Sequence, residues 1–114
     1  MNIKPFNEIT IAHLLSHTSG LFPDRGCFDF EYNSPWDWNF VRDNTREGET
    51  WVRGAMRSGM HCEPGTQWNY CTFGFCFLGE VITRVTGVRA ETWIHKNIID
   101  PCGLKDTCFE NEFY

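Results

Sequence analysis

The sequence lacks an excess of basic residues, a long apolar run and any internal repeat. Lysine and arginine number 10 against 15 aspartate and glutamate residues, for a net charge of −5. Proteins that bind a nucleic-acid backbone need a basic stripe to release counterions, so nucleic acid is not expected as a partner. No segment has the length and apolarity of a signal peptide or a membrane span, so no membrane partner is expected. The compartment is left unassigned, because a missing signal means nothing in a piece of a longer chain.

The six cysteines form no C-x-x-C pair, which leaves a zinc ribbon poorly supported. Cys71 and Cys76 are five positions apart at the start of one predicted helix, an awkward spacing for a mutual disulfide. We therefore expect buried free thiols and at most one disulfide bridge.

Aromatic residues are abundant, with ten Phe, five Trp and three Tyr in 114 residues. Each buries a large area, so their density indicates packed surface or surface that more protein covers. A chain of this length fits one domain with one core.

A short helix is predicted near the beginning of the chain, with Thr10 as its N-cap. Its apolar stripe comprises Ile11, Leu14 and Leu15. The helix is expected to end by His17 or Thr18, with Gly20 supplying backbone compatible with a turn.

Residues 22–63 are rich in Gly, Pro, Asn and Asp and are predicted to be mostly loop, with short helices near 36–42 and 48–57. An aromatic cluster within them consists of Trp36, Trp38 and Phe40. Such a cluster can line a substrate cleft, but packing of an insertion onto a helical domain is commoner. The acidic residues of this region are interpreted as solvated surface: Asp24, Asp29, Glu31, Asp37 and Asp43.

Two helices are predicted in the second half of the chain. Apolar residues recur at helical spacing from Phe73 to Val85, and Gly87 is a glycine of the C-cap type. A second helix at about 90–99 is expected to carry Trp93, Ile94 and Ile98 on one face, and Pro101 and Gly103 to stop it. Residues 107–109 are predicted to begin a strand.

Three separate stretches resemble motifs of the serine β-lactamase-like hydrolases, which include class C β-lactamases, D-alanyl-D-alanine carboxypeptidases and related esterases. Residues 9–21, ITIAHLLSHTSGL, are similar to the family's I-T-I-x-H-L-L-x-H-T-S-G-L. Residues 64–70, 78–82 and 86–87 resemble its P-G-x-x-x-x-Y-S-N and L-G-x-x-I-x-x-x-x-G motifs. Residues 99–107, IDPCGLKDT, resemble I-x-x-P-L-G-M-x-D-T. The coincidence of several motifs in order makes the resemblance specific.

The resemblance implies a mainly α chain, the helical subdomain of the α+β serine β-lactamase/D,D-peptidase-like fold without most of its sheet. We expect residues 1–114 to be a single partial domain. Its parts are a first motif block at 8–21, a loop-rich insertion at 22–63, and a second block with a helical hairpin at 64–109.

Acyl transfer by a serine is the chemistry that the resemblance implies. The family uses an S-x-x-K serine as nucleophile, a tyrosine for proton transfer, and a K-T-G or H-x-G strand at the site's edge. Tyr70 matches that tyrosine and is the candidate catalytic residue. A phenol is a weak base near neutral pH, so it needs neighbouring lysines that favour phenolate. Thr72 stands where the family usually has asparagine and is the candidate substrate-binding residue, although it offers only a hydroxyl.

The sequence contains no S-x-x-K, because its lysines at positions 4, 96 and 105 have no serine three residues before them. It contains no K-T-G or H-x-G triplet either. We therefore expect a fragment of a serine hydrolase acting on an ester, peptide or lactam, inactive alone for want of its nucleophile. The expected partner is a small-molecule or peptide substrate of the complete enzyme. The alternative is a non-enzymatic binding or scaffold module derived from the fold.

No metal or cofactor is expected. His13 and His17 have a spacing that can bind zinc on a helix, but no clear third ligand accompanies them. In the resembled family both histidines cap and pack the turn. The helix from Phe73 to Val85 is apolar over a wide arc, which predicts exposed apolar surface and self-association of the isolated chain.

Overall fold

The computed structural model describes residues 4–24 and 38–109, and within these ranges the chain is mainly helical, as the sequence predicts. Its α-helices are α1 (Lys4–Asn7), α2 (Ile11–Leu15), α3 (Trp38–Asn44), α4 (Trp51–Met56), α5 (Thr72–Thr86) and α6 (Ala90–Ile94). A π-helical turn, His95–Ile99, continues α6. None of the helices in the described ranges is long and apolar enough to cross a membrane. The chain divides into two units, residues 1–78 and 79–114.

Helix α2 begins and ends where the sequence predicts, and its last turn closes on a histidine with left-handed backbone. Thr10 is its N-cap: the Thr10 hydroxyl accepts the His13 N–H, and His13 Nδ1 accepts the Thr10 N–H, both at 3.1 Å. The helix closes at His17, whose φ of 58° lies in the left-handed region. The Thr18 N–H donates to the His13 carbonyl at 2.9 Å, as in a Schellman motif. The helix therefore ends by His17, as the sequence predicts, and Gly20, with a φ of 83°, supplies the turn that follows.

Helices α3 and α4 lie within the region predicted to be loop-rich, close to the two short helices expected there. They approach each other closely at Gly54, because a Cβ there would collide with Thr45 Oγ1 and lie 2.8 Å from the Val41 carbonyl oxygen. Val41 and Ala55 are buried, so this insertion contributes to the core. Trp36 and the Trp38 side chain lie outside the described residues, whereas Phe40 packs against the core.

A bidentate ion pair joins Glu49 to Arg57 across the α3–α4 connection. The Arg57 guanidinium donates to both Glu49 carboxylate oxygens, at 2.6 and 2.7 Å, and also to the Asn44 carbonyl. These hydrogen bonds, with a further one from the Arg46 N–H, lower the pKa of Glu49 to about 2.

This lowered pKa predicts an acid-dependent loss of stability. The folded-state pKa lies below the ordinary value of 4.5, so the stabilisation is present above that value and is lost as the pH falls towards about 2. Denaturant unfolding measured between pH 6 and pH 2 is expected to show that the free energy of unfolding falls more steeply with decreasing pH for the wild type than for Glu49→Gln. The exposed Glu47 provides the control variant Glu47→Gln, which should follow the wild type. Parallel curves for wild type and Glu49→Gln would contradict the assignment.

The core of the first unit brings together residues from α2, α3, α4 and α5. Its buried members are Leu14, Leu21, Val41, Ala55, Cys71 and Phe73. Phe73 is among the largest fully buried side chains, with 1% of its surface exposed. The first motif block and the beginning of α5 are therefore packed into one core.

In the second unit, Thr83 ties the beginning of α6 to α5. Its hydroxyl accepts the Ala90 N–H at 3.1 Å and donates to the Gly79 carbonyl at 3.1 Å. It thus satisfies one of the N–H groups that a helix start leaves free.

The π-helical turn changes which isoleucine is buried. The sequence pattern assigns Ile98 to the same face as Ile94, but Ile98 is 45% exposed and Ile99 is buried. A π-turn inserts one residue into the helical repeat, so a side chain five positions after Ile94 takes the place expected four positions after it. The prediction for Ile98 is wrong for this reason. The predicted strand at 107–109 is also wrong, because the described backbone there is irregular.

Candidate active site around Tyr70

Tyr70 lies in the irregular segment that leads from the Pro64–Gly65 turn into α5. Gly65 has a φ of 82°, and its N–H donates to the Thr18 carbonyl at 2.7 Å. A Cβ on Gly65 would lie 3.1 Å from His13 Nε2, so glycine allows the turn to approach the first motif block. The Tyr70 side chain is 40% exposed.

His17 holds the backbone on both sides of Tyr70. Its carbonyl accepts the Asn69 N–H at 2.9 Å, and its Nδ1 accepts the Cys71 N–H at 3.1 Å. An accepting Nδ1 places the proton of the neutral imidazole on Nε2. The left-handed backbone of His17 allows one residue to supply both acceptors.

The His17 ring also contacts three aromatic side chains of the second motif block. The Tyr70 ring centroid lies 4.7 Å from it, tilted by 33°. Phe75 lies 5.4 Å away, and Trp68 lies 5.9 Å away in an edge-on contact. The phenol ring of Tyr70 is therefore supported by packing as well as by its backbone.

Asp24 makes a second set of contacts to the same segment. Its N–H donates to the Tyr70 carbonyl at 3.0 Å, and its Oδ1 accepts the Thr72 N–H at 2.7 Å. The Thr72 hydroxyl donates to Asp24 Oδ2. The interpretation of Asp24 as solvated acidic surface is therefore wrong. The hydroxyl of Thr72, predicted to bind substrate, has its proton engaged within the chain.

Both histidines of the first motif block use Nδ1 as an acceptor for a backbone N–H, His13 from Thr10 and His17 from Cys71. They cap and pack the turn, as expected from the resemblance. In the part of the chain that the structure describes, no group of three or more His, Cys, Asp or Glu side chains could hold a metal ion.

The cysteines of the described residues are free thiols of unequal exposure. Cys71 is buried, Cys62 and Cys76 are partly buried, and Cys102 and Cys108 are exposed, so the expectation of buried thiols holds for Cys71 alone. Burial raises the pKa of the Cys71 thiol to about 11 and also raises the pKa of Cys76. Cys71 is therefore an inert neighbour of Tyr70, not a nucleophile.

Thiol labelling is expected to follow this order. With iodoacetamide at pH 8, the raised pKa should slow labelling of Cys71 about a hundredfold relative to an ordinary thiol. Peptide mapping by mass spectrometry should find Cys102 and Cys108 modified first. As a control, the differences in labelling rate among the cysteines should vanish in denaturant. Equal rates for Cys71 and Cys102 in the folded chain would contradict the assignment.

The site is therefore an exposed phenol on a tightly held backbone. The sequence predicts Tyr70 and Thr72 as site residues, and these roles stay predictions, whereas the contacts that His17 and Asp24 make to their segment were not expected. A usable indication for Asp24 was the beginning of α5, where Cys71 precedes Thr72 and no strong local acceptor is available for the first helical N–H groups.

Residues 2–112 match the model of the Beta-lactamase family. The chain is 31% identical over 105 residues to penicillin-binding protein 4* of Bacillus subtilis (strain 168), a match covering 90% of the chain and 22% of that protein. It is 30% identical over 110 residues to lovastatin esterase of Penicillium rubens, covering 92% of the chain and 25% of the esterase. Protein flp of Staphylococcus aureus (strain MW2) is 30% identical over 115 residues, covering 100% of the chain and 21% of that protein. The chain thus spans a quarter or less of the length of these relatives.

Proposed function

Since this chain belongs to the beta-lactamase family, we propose that it supplies the tyrosine-bearing helical wall of a serine hydrolase that acts through an acyl-serine. The substrate class is an ester, peptide or lactam. Similar proteins named as an esterase, as penicillin-binding proteins and as a methylbutanoyltransferase support chemistry on an acyl group.

The observation that carries the proposal is the alternating set of hydrogen bonds around Tyr70. His17 accepts the N–H groups of residues 69 and 71, and Asp24 bonds the carbonyl of residue 70 and the N–H of residue 72. General acid–base catalysis requires a group held within hydrogen-bond reach of the proton it transfers. An exposed phenol whose segment is hydrogen-bonded at the N–H groups of residues 69, 71 and 72 and at its own carbonyl is held in place, which supports such a role.

In the proposed reaction, Tyr70 as phenolate accepts the proton of the serine hydroxyl while the serine oxygen attacks the carbonyl carbon of the substrate. The phenol then returns this proton to the leaving oxygen or nitrogen as the bond to that atom breaks. Hydrolysis of the acyl-serine uses the same two transfers, with water in place of the serine hydroxyl. No S-x-x-K occurs in the 114 residues, so they lack the nucleophile for the first step.

Covalent labelling of the isolated 114-residue chain tests the proposal that it has no activity by itself. We expect no mass increase after incubation with a fluorescent penicillin or p-nitrophenyl acetate, and no burst of p-nitrophenol. A burst stoichiometric with the chain, with an acyl adduct mapped to one of its serines, would overturn the proposal that the nucleophile lies outside these residues.

A non-enzymatic binding or scaffold module is the second candidate. The hydrogen bond from the Thr72 hydroxyl to Asp24 favours it, because a position expected to bind substrate has a structural partner. Sequencing the complete transcript separates the two candidates. An S-x-x-K upstream in frame supports the hydrolase, whereas translation that begins at Met1 supports the module.

A further inference from the structure

Asp24 reaches the beginning of α5 from 48 positions earlier in the sequence. The nearby residues Leu21 and Pro23 are buried, and their burial anchors the backbone segment that carries Asp24. Its carboxylate accepts the N–H of Thr72, the first residue of the 15-residue helix α5. A negative charge at that position satisfies a free N–H and interacts favourably with the helix dipole.

Asp24 also forms a hydrogen bond with the carbonyl of Tyr70. The Asp24 N–H donates to the Tyr70 carbonyl, so backbone and side chain together bridge residues 70 and 72. Together with the bond from the Cys71 N–H to His17 Nδ1, both ends of the peptide group that follows Tyr70 are fixed, and the Asn69 N–H is held by the His17 carbonyl. Fixing these groups limits the directions in which the phenol can point.

Thr72 has its hydroxyl directed to Asp24 Oδ2. A hydroxyl has one proton, so the donor that a substrate carbonyl would require is already used. The backbone N–H of Thr72 is used in the same way by Oδ1. Both donors of this residue therefore serve the contact with Asp24.

We propose that Asp24 is a positioning residue for Tyr70, and that Thr72 is its structural partner and not a substrate-binding residue. This inference rests on the proposed function, in which Tyr70 transfers protons. Its consequence is kinetic: loss of the Asp24 carboxylate releases Thr72, leaves the backbone bond to the Tyr70 carbonyl as the remaining Asp24 contact, and so loosens the segment that carries the phenol. Small displacements of a catalytic group lower the rate of the chemical step. Substrate binding is unaffected, because neither residue donates to the substrate.

The test uses the protein expressed from its complete reading frame, with the variants Asp24→Ala, Asp24→Asn and Thr72→Val. Asp43→Asn is the matched control, since it removes an exposed carboxylate that pairs with the adjacent Arg42. Turnover of p-nitrophenyl butyrate gives kcat and KM. Nuclear Overhauser contacts between the Tyr70 and His17 rings report the position of the phenol independently of activity.

Asp24→Ala is expected to lower kcat by about ten- to a hundredfold with KM nearly unchanged, and to weaken the Tyr70–His17 ring contacts. Asp24→Asn keeps an oxygen that accepts the Thr72 N–H, so its kcat should stay close to that of the wild type. Thr72→Val should leave KM unchanged, and Asp43→Asn should match the wild type.

A rise in KM for Thr72→Val would overturn its structural assignment. Undiminished kcat and intact ring contacts in both Asp24 variants would overturn the positioning role. If the wild type turns over no acyl donor, the proposed function fails separately. The ring contacts then decide alone whether Asp24 sets the position of Tyr70, and their persistence in Asp24→Ala overturns the inference.

Discussion

Replacing Gly20 by alanine is expected to lower the free energy of unfolding by about 2–4 kcal/mol, the sum of a left-handed backbone and a steric collision. Gly20 has a φ of 83°, which side-chain-bearing residues adopt at a cost. A Cβ there would collide with the Cys62 carbonyl oxygen and lie 3.0 Å from Met60 Cε. The Gly20 carbonyl accepts the N–H groups of His61 and Cys62, so the backbone cannot move away without losing these bonds. Urea denaturation followed by tryptophan fluorescence measures the change.

Gly59→Ala separates the two contributions. Gly59 has a φ of 80°, but nothing lies within 4 Å of the position that a Cβ would occupy. This variant is therefore expected to carry only the cost of the left-handed backbone, about 1–2 kcal/mol. Equal losses in the two variants would show that the approach of the Cys62 backbone to Gly20 does not contribute.

Tyr70→Phe is expected to lower kcat by about a hundred- to ten-thousandfold in the protein expressed from its complete reading frame, the range typical of a lost acid–base group. The substitution removes the phenol oxygen and keeps the ring that contacts His17. Stability should therefore change by no more than about 1 kcal/mol, the usual contribution of one hydrogen bond. Hydrolysis of p-nitrophenyl butyrate and urea denaturation measure the two quantities.

Tyr32→Phe is the chemical control, because it removes the same hydroxyl from a position outside both motif blocks. It should leave kcat unchanged. A loss of activity in Tyr70→Phe that merely parallels a loss of folded protein would contradict a proton-transfer role, as would full activity.

Helices α2 and α5 were predictable because their determinants are local, whereas α1 was not predicted. Thr10 caps α2 through its own side chain, and the apolar spacing from Phe73 to Val85 matches α5 within one residue at each end. Tyr70 is a candidate because of its motif, and its catalytic role stays a prediction. Its exposure and the structure of its segment follow from the turn at Gly65 and the helix start at Thr72.

The contacts that hold Tyr70 were not predictable, because they join residues far apart in sequence. The bond from Cys71 to His17 spans 54 positions, and that from Thr72 to Asp24 spans 48. The left-handed backbone of His17 was not predictable either, because residues other than glycine adopt that conformation uncommonly. Ile99 is buried in place of Ile98 because of the π-turn, and the spacing of apolar residues does not predict a π-turn.

Exposed apolar side chains in the second unit agree with the prediction that the isolated chain self-associates. Val85 is 80% exposed, and Val88, Ile98 and Leu104 are each more than two-fifths exposed. Self-association stays a prediction, and a monodisperse monomer in sedimentation velocity would contradict it.

Covalent labelling of the protein expressed from its complete reading frame tests the central claim most directly. After exposure to a fluorophosphonate, intact mass and peptide mapping are expected to show one adduct per molecule, on a serine followed three residues later by lysine. The adduct should form more slowly in Tyr70→Phe, because Tyr70 accepts the proton of that serine. No adduct, or an adduct whose rate of formation is the same in Tyr70→Phe, would contradict the proposal that Tyr70 serves an acyl-serine site.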